Sequence, residues 1–154
     1  MKGKITIYTD GAARGNPGPA GWAAVFLEGG EIFREIGGHM EHATNNQMEL
    51  RAVIEALKYA KKEKIAAVVR IIADSEYVVK GITLWIHDWQ KKGWRNAAKK
   101  PVKNRELWEE LYELDRGIKP KWDYVRGHHT DKYNIRADEI ATSFADNEPV
   151  KLKK

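Results

Sequence analysis

Cysteine is absent from this 154-residue chain. Its absence excludes disulfides, thiolate metal centres and a cysteine nucleophile, and it suits a reducing compartment. No apolar run approaches the ~18 residues of a membrane span, so no membrane role is expected. Repeats, low-complexity tracts and long linkers are missing too. The chain therefore reads as one domain, 1–154, with residues 146–154 as a flexible tail. Its first residues, MKGKITIY, pass straight into strand-like sequence without the zones of a leader peptide, and a cytoplasmic monomer is expected. Neither sign of charge dominates: 27 Lys and Arg stand against 22 Asp and Glu, a net +5. The excess is concentrated, however. Residues 91–105, KKGWRNAAKKPVKNR, hold seven Lys or Arg, one Trp and no acid, a composition suited to a polyanion such as nucleic acid.

The apolar, β-branched run at 4–9 predicts a strand. A glycine- and proline-rich loop is expected over 11–21. Residues 22–27 and 31–36 flank Glu28-Gly29-Gly30 as a hairpin. Leu50, Val53, Ile54 and Leu57 recur at helical spacing in a helix over 45–62, with Thr44 or Asn45 as its N-cap. IAAVVRIIA, 65–73, reads as a buried strand ending at Asp74-Ser75. Short helices over 75–80 and 82–91 precede the basic segment. Further helices over 104–116 and 134–145 flank a last strand at 119–125. This order gives an α/β fold: a mixed sheet with helices on its faces.

Aspartate is a poor strand residue, yet Asp10 and Asp74 each stand at the end of an apolar strand. If the two strands are parallel neighbours, the carboxylates lie side by side, at the edge where open α/β sheets place their sites. Glu49 borders the buried stripe of the 45–62 helix, and Asp138 borders the inward face of the last one. Four converging acids raise one another's pKa. A hard divalent cation relieves that repulsion, and oxygen-only donors point to Mg²⁺ or Mn²⁺. Two such ions about 4 Å apart could activate a water and stabilise the leaving oxygen of a phosphodiester. Taken singly, each acid has an ordinary explanation. Asp10 could close a turn, Glu49 could be a solvated helix residue, Asp74 an N-cap and Asp138 part of a surface charge pattern.

The segments YTDGAARGNPGPAGW, TNNQMEL, ADSEYVVKGITLWI, GWRNAAKKPVKN, LWEEL and VRGHH followed by NIRADEIA resemble, in order and approximate spacing, the ribonuclease H type 1 family. The resemblance spans residues 5 to about 145. It implies a five-stranded mixed sheet, three strands antiparallel and two parallel, flanked by helices. It implies metal ligands at Asp10, Glu49, Asp74 and Asp138, and a histidine for proton transfer or product release at His128. The implied reaction is endonucleolytic hydrolysis of the RNA strand of RNA–DNA hybrids, with Mg²⁺ or Mn²⁺, leaving 5′-phosphate and 3′-hydroxyl ends.

Such an enzyme must sense the 2′-hydroxyl; the positions that match the family's contacts are Asn16, Asn45 and Asn46. Trp85 and Trp89, four residues apart, share a helix face and could pack on deoxyribose, while Lys91, Lys92, Lys99 and Lys100 meet phosphates. The alternative is that these tryptophans, and Trp94 above all, belong to the core. The family's DNA-phosphate pocket matches Thr44 and Asn104, with His42 in place of an Arg seen in some members. Ala97 stands where some members carry a hydroxyl, and Thr130-Asp131-Lys132-Tyr133 departs from the family's usual run. A catalytically dead binding module, an integrase-type or resolvase relative, and a reverse transcriptase domain are the competing readings. The complete acid set and the Trp-bearing basic segment argue against the first two, and the Met start weighs mildly against the third.

Overall fold

Strand β1 (Lys4–Ala13) runs through the centre of a five-stranded sheet of order β3-β2-β1-β4-β5 in the computed structural model, which describes residues 3–65, 67–125 and 131–154. β2 (Gly18–Glu28) and β3 (Glu31–Ala43) form an antiparallel meander with β1, and β4 (Val68–Ala73) and β5 (Lys121–Tyr124) extend it in parallel. The expected mixed sheet, three strands antiparallel and two parallel, is the one found. Helix α1 (Asn45–Lys62) covers one face, and helix α4 (Arg105–Ile118) packs against α1. Leu50, Val53, Ile54 and Leu57 of α1 and Trp108 and Leu111 of α4 share one core with Ile5, Ile7, Phe26 and Ile71. Helix α5 (Lys132–Ala145) covers the other face, where Ala137, Ile140 and Ala141 meet Tyr8, Ala23, Val25 and Leu27. The short helices α2 (Glu76–Lys80) and α3 (Ile86–Lys91) are joined by a π-turn over Gly81–Trp85.

Three expectations change. The loop expected over 11–21 is mostly strand: β1 continues to Ala13, β2 starts at Gly18, and Gly11 pairs with Trp22. The second hairpin strand reaches Ala43 instead of 36. In both places the glycines serve close packing. A Cβ on Gly21 would strike the Ala141 carbonyl and the Ala145 amide of α5, and one on Gly37 would strike Phe144. Lastly, residues 146–154, expected to be a flexible tail, form no helix or strand but dock. The Glu35 amide donates to the Lys153 carbonyl at 2.8 Å, and Val150 and Leu152 pack against the α5-side core.

Candidate active site

The β1–β4 ladder ends at Thr9 and Ala73, so Asp10 does not end its strand as expected: it stays within β1, paired with Ala23 of β2, and lies beside Asp74, which follows the last residue of β4. Asp10 shares the side-chain direction of Tyr8 and Ala12, which belong to the α5-facing cluster. It is 4% exposed. The next residue, Gly11, faces α1 from so close that a Cβ would lie 2.5 Å from the Glu49 amide and from the Met48 carbonyl carbon. That approach brings Glu49, one turn into α1, up to the strand. Asp138 sits on the exposed side of α5.

The acids act on one another. Burial pushes the Asp10 carboxyl up to about 8, with Asp74 next in effect and a hydrogen bond and charge from Asp138 adding to it. The Gly11 amide, donating to Asp10 Oδ1 at 2.9 Å, opposes the rise. Glu49 is raised well above the usual carboxylate range, by burial first and then by Asp10 and Asp74. Glu49 keeps part of its residue surface accessible; its carboxyl end is the enclosed part. Among the described residues, no group of three or more His, Asp or Glu side chains is already arranged to hold a metal ion. The donor chemistry nonetheless fits a hard cation. The donors are carboxylate oxygens without sulfur, and a divalent ion would offset the burial and the mutual repulsion that lift Asp10 and Glu49. His128 lies outside the described residues.

Thr44 is the N-cap of α1, accepting from the Gln47 amide at 3.1 Å while Gln47 Oε1 accepts the Thr44 amide at 2.9 Å. The next residue ties the strand turn to the helix. Asn45 Oδ1 accepts from the Ala13 amide at 2.9 Å, and the Asn45 amide donates to Asn16 Oδ1 at 3.0 Å. Gln47 Nε2 also reaches Asn104 Oδ1 at 3.3 Å, so Thr44 and Asn104 share one bridge. Asn104 Nδ2 and Trp108 Nε1 both donate to the Tyr77 hydroxyl, at 3.3 and 3.1 Å. Sequence reasoning does not single out Gln47, Tyr77 or Trp108. Only Gln47 carries a signal there, as the third residue after a capping threonine.

Asn46, Trp89, Lys100 and Asn104 line one groove of about 460 Å³. The Trp85 and Trp89 rings lie 6.0 Å apart, and Trp89 stacks edge-on to the fully buried Trp108 at 5.3 Å. Trp85 is 37% exposed and Trp89 half-buried. Trp94 packs against the core under the Arg105 guanidinium, in line with the core alternative. Lys91, Lys92, Lys99 and Lys100 are exposed. Lys92 pairs at 3.7 Å with Asp88, and Asn96 Oδ1 accepts from the Ala98 and Lys100 amides, which shapes the loop that presents Lys99 and Lys100.

A family model described as RNase H matches residues 2–146. Ribonuclease H of Thermosynechococcus vestitus is 47% identical over 147 residues, covering 96% of this chain and 92% of that protein. Ribonuclease H of an Acidovorax species is 51% identical over 140 residues, covering 90% and 92%. Among solved structures, LC9-RNase H1, described as a type 1 RNase H with the type 2 active-site motif, superposes with a TM-score of 0.79. It is 31% identical and covers 94% of this chain and 73% of that one. LC11-RNase H1 in complex with an RNA/DNA hybrid gives a TM-score of 0.70 at 28% identity, covering 93% and 97%.

Proposed function

Because the chain belongs to the ribonuclease H family, of type 1, we propose that it hydrolyses the RNA strand of RNA–DNA hybrids by two-metal-ion catalysis, leaving 5′-phosphate and 3′-hydroxyl ends. The observation that carries this reading is Asp10, a nearly buried carboxyl lifted to about 8 by its burial and its acidic neighbours. Such a group gains most from a cation.

Asp10, Glu49, Asp74 and Asp138 would hold Mg²⁺ or Mn²⁺, two ions when substrate is bound, and the bound metal would supply an activated water and neutralise charge on the leaving oxygen. His128 takes the proton-transfer or product-release role. Asn16, Asn45 and Asn46 read the 2′-hydroxyl side of the hybrid, from a turn and helix end already locked together. Thr44 and Asn104 receive a DNA phosphate, their spacing set by Gln47. Trp85 and Trp89 offer a face for deoxyribose, and Lys91, Lys92, Lys99 and Lys100 meet the backbone. Among the described residues no helix is long and apolar enough to cross a membrane. We assign the protein to the cytoplasm as a monomer.

With Mg²⁺, purified protein should cut the RNA strand of an end-labelled hybrid and leave duplex RNA and duplex DNA whole; EDTA should stop the cutting. The product should be extendable by a polymerase from its 3′ end. Cleavage that persists in EDTA, or that extends to duplex DNA, overturns the assignment.

Replacing Lys91, Lys92, Lys99 and Lys100 by Ala should weaken hybrid binding and flatten its log–log salt slope by up to about four, roughly one for each phosphate that a lysine no longer neutralises. An unchanged slope would make these lysines a solvated face. Because Lys92 is shared with Asp88, its single substitution should have the smallest effect of the four.

A further inference from the structure

Helix α5 carries Asp138 on its exposed side and is gripped on the opposite one. Arg136 Nε donates to Glu35 Oε2 at 2.7 Å, and Nη2 donates to Oε1 at 3.0 Å. Glu35, on β3, is only 5% exposed. Its Oε1 also accepts the Lys153 amide at 2.8 Å. Arg136 Nη2 donates in addition to the Lys151 carbonyl at 2.8 Å, and Nη1 pairs with Glu139. The C-terminal strap, residues 148–153, is thus part of the grip, and the Val150 amide ties it to Ser143 Oγ of α5 at 3.2 Å.

Ala137, Ile140, Ala141, Tyr133 and Phe144 supply the apolar contacts of α5 with the sheet side. The Tyr8 hydroxyl donates to Asp131 at the N-cap, and His39 Nδ1 meets the Phe144 carbonyl in the last turn, so the Arg136 fork is the charged contact nearest Asp138 in the sequence. A guanidinium fork on a buried carboxylate has a preferred direction. A second fork, Arg14 on Asp146 at 2.6 and 2.8 Å, stands beyond the far end of α5, but it is exposed on both sides and screened by solvent. Residues 136 and 138 lie about 200° apart around the helix, so turning α5 by about 10° carries a side-chain tip about 1 Å. We propose that Arg136, clamped between Glu35 and the C-terminal strap, is a positioning residue that sets the approach of Asp138 to Asp10. The inference rests on the metal-dependent reading above.

Arg136→Met removes the fork and keeps an apolar stem. The pair Glu35→Gln with Arg136→Met also removes the buried charge and guards against misfolding. Ending the chain after Asn147 removes the strap's contacts and leaves the sequence of α5 unchanged. Each should raise roughly tenfold both the Mg²⁺ Kd of the free protein, measured by calorimetry, and the Mg²⁺ needed for half-maximal cleavage. The hybrid KM should stay put, because none of the proposed substrate contacts among the described residues lies on α5 or the strap. In an Asp138→Asn background, Arg136→Met should add nothing further. A lower Tm with unaltered Mg²⁺ demand, or an Arg136→Met effect that persists undiminished on top of Asp138→Asn, overturns the inference. A native protein that neither binds Mg²⁺ nor cuts hybrid would instead overturn the functional reading, and this inference with it.

Discussion

Asp10→Asn should lower cleavage by at least on the order of a thousandfold while changing hybrid Kd by no more than about threefold. The two readouts separate because Asp10 stands on β1 among the acids, whereas the basic and aromatic residues lie on the π-turn, α3 and the loop after it. The same substitution should make the metal-free protein more stable. In the fold Asp10 titrates near 8 against a usual 3.8, because burial, Asp74 and Asp138 all oppose its ionised form. The native state therefore holds its proton longer than the unfolded chain does. The stability linked to this group is complete below about pH 4 and is lost as pH rises toward 8. In EDTA, unfolding free energy of the native sequence should fall across that window, and Asp10→Asn should make the slope shallower, with Glu49 carrying what remains. Since Glu49 shares the repulsion, the gain at pH 8 should be on the order of 2 kcal/mol, below what one carboxyl shifted alone would give. Adding Mg²⁺ should reverse the ranking, raising the Tm of the native sequence and leaving that of Asp10→Asn nearly unchanged. If Asp10→Asn cuts hybrid at the native rate, the metal assignment is wrong.

Much of this site is legible in the sequence because strand ends and helix stripes are local patterns. Asp10 and Asp74 each follow an apolar run, and the parallel pairing of those runs, only a condition in the sequence, is observed. The capping threonine and the apolar period of α1 place its bounds at 45 and 62, the bounds observed. What could not be read has a common cause. The segment from Gly11 to Gly21 looks like a loop because glycine and proline usually mark turns. Here Gly11 and Gly21 are strand residues whose missing Cβ admits a helix backbone, and that requirement comes from a partner distant in sequence. Gly81 is similar: it lies under the Trp108 indole, across a π-turn that helical periodicity alone does not reveal. The docked tail escapes a sequence reading for a related reason. Val150 and Leu152 look like stray apolar residues in a basic end until Glu35 and Arg136 supply the polar anchor.

Gly11→Ala should show how closely fold and site are joined. One methyl group placed there meets the Glu49 amide and the Met48 carbonyl carbon, both at 2.5 Å, and the Met48 Cβ at 2.8 Å. Two of these three atoms are helix backbone, so a rotamer change cannot make room; α1 must move away from β1 or β1 must bend. Overpacking of this kind costs about 1–3 kcal/mol, with a correspondingly lower Tm. The displacement also falls on the residue that brings a carboxylate to Asp10. A shift of about 1 Å between catalytic groups is enough for a loss of roughly a hundredfold in kcat, and Mg²⁺ demand should rise in parallel. Gly29→Ala is the control. It sits in the β2–β3 turn at φ +61° with no atom near its missing Cβ, so it should lower Tm through backbone strain and leave Mg²⁺ demand and kcat at their native values. Were Gly11→Ala to keep native kcat and Mg²⁺ demand, the contact between strand and helix would not be what places Glu49.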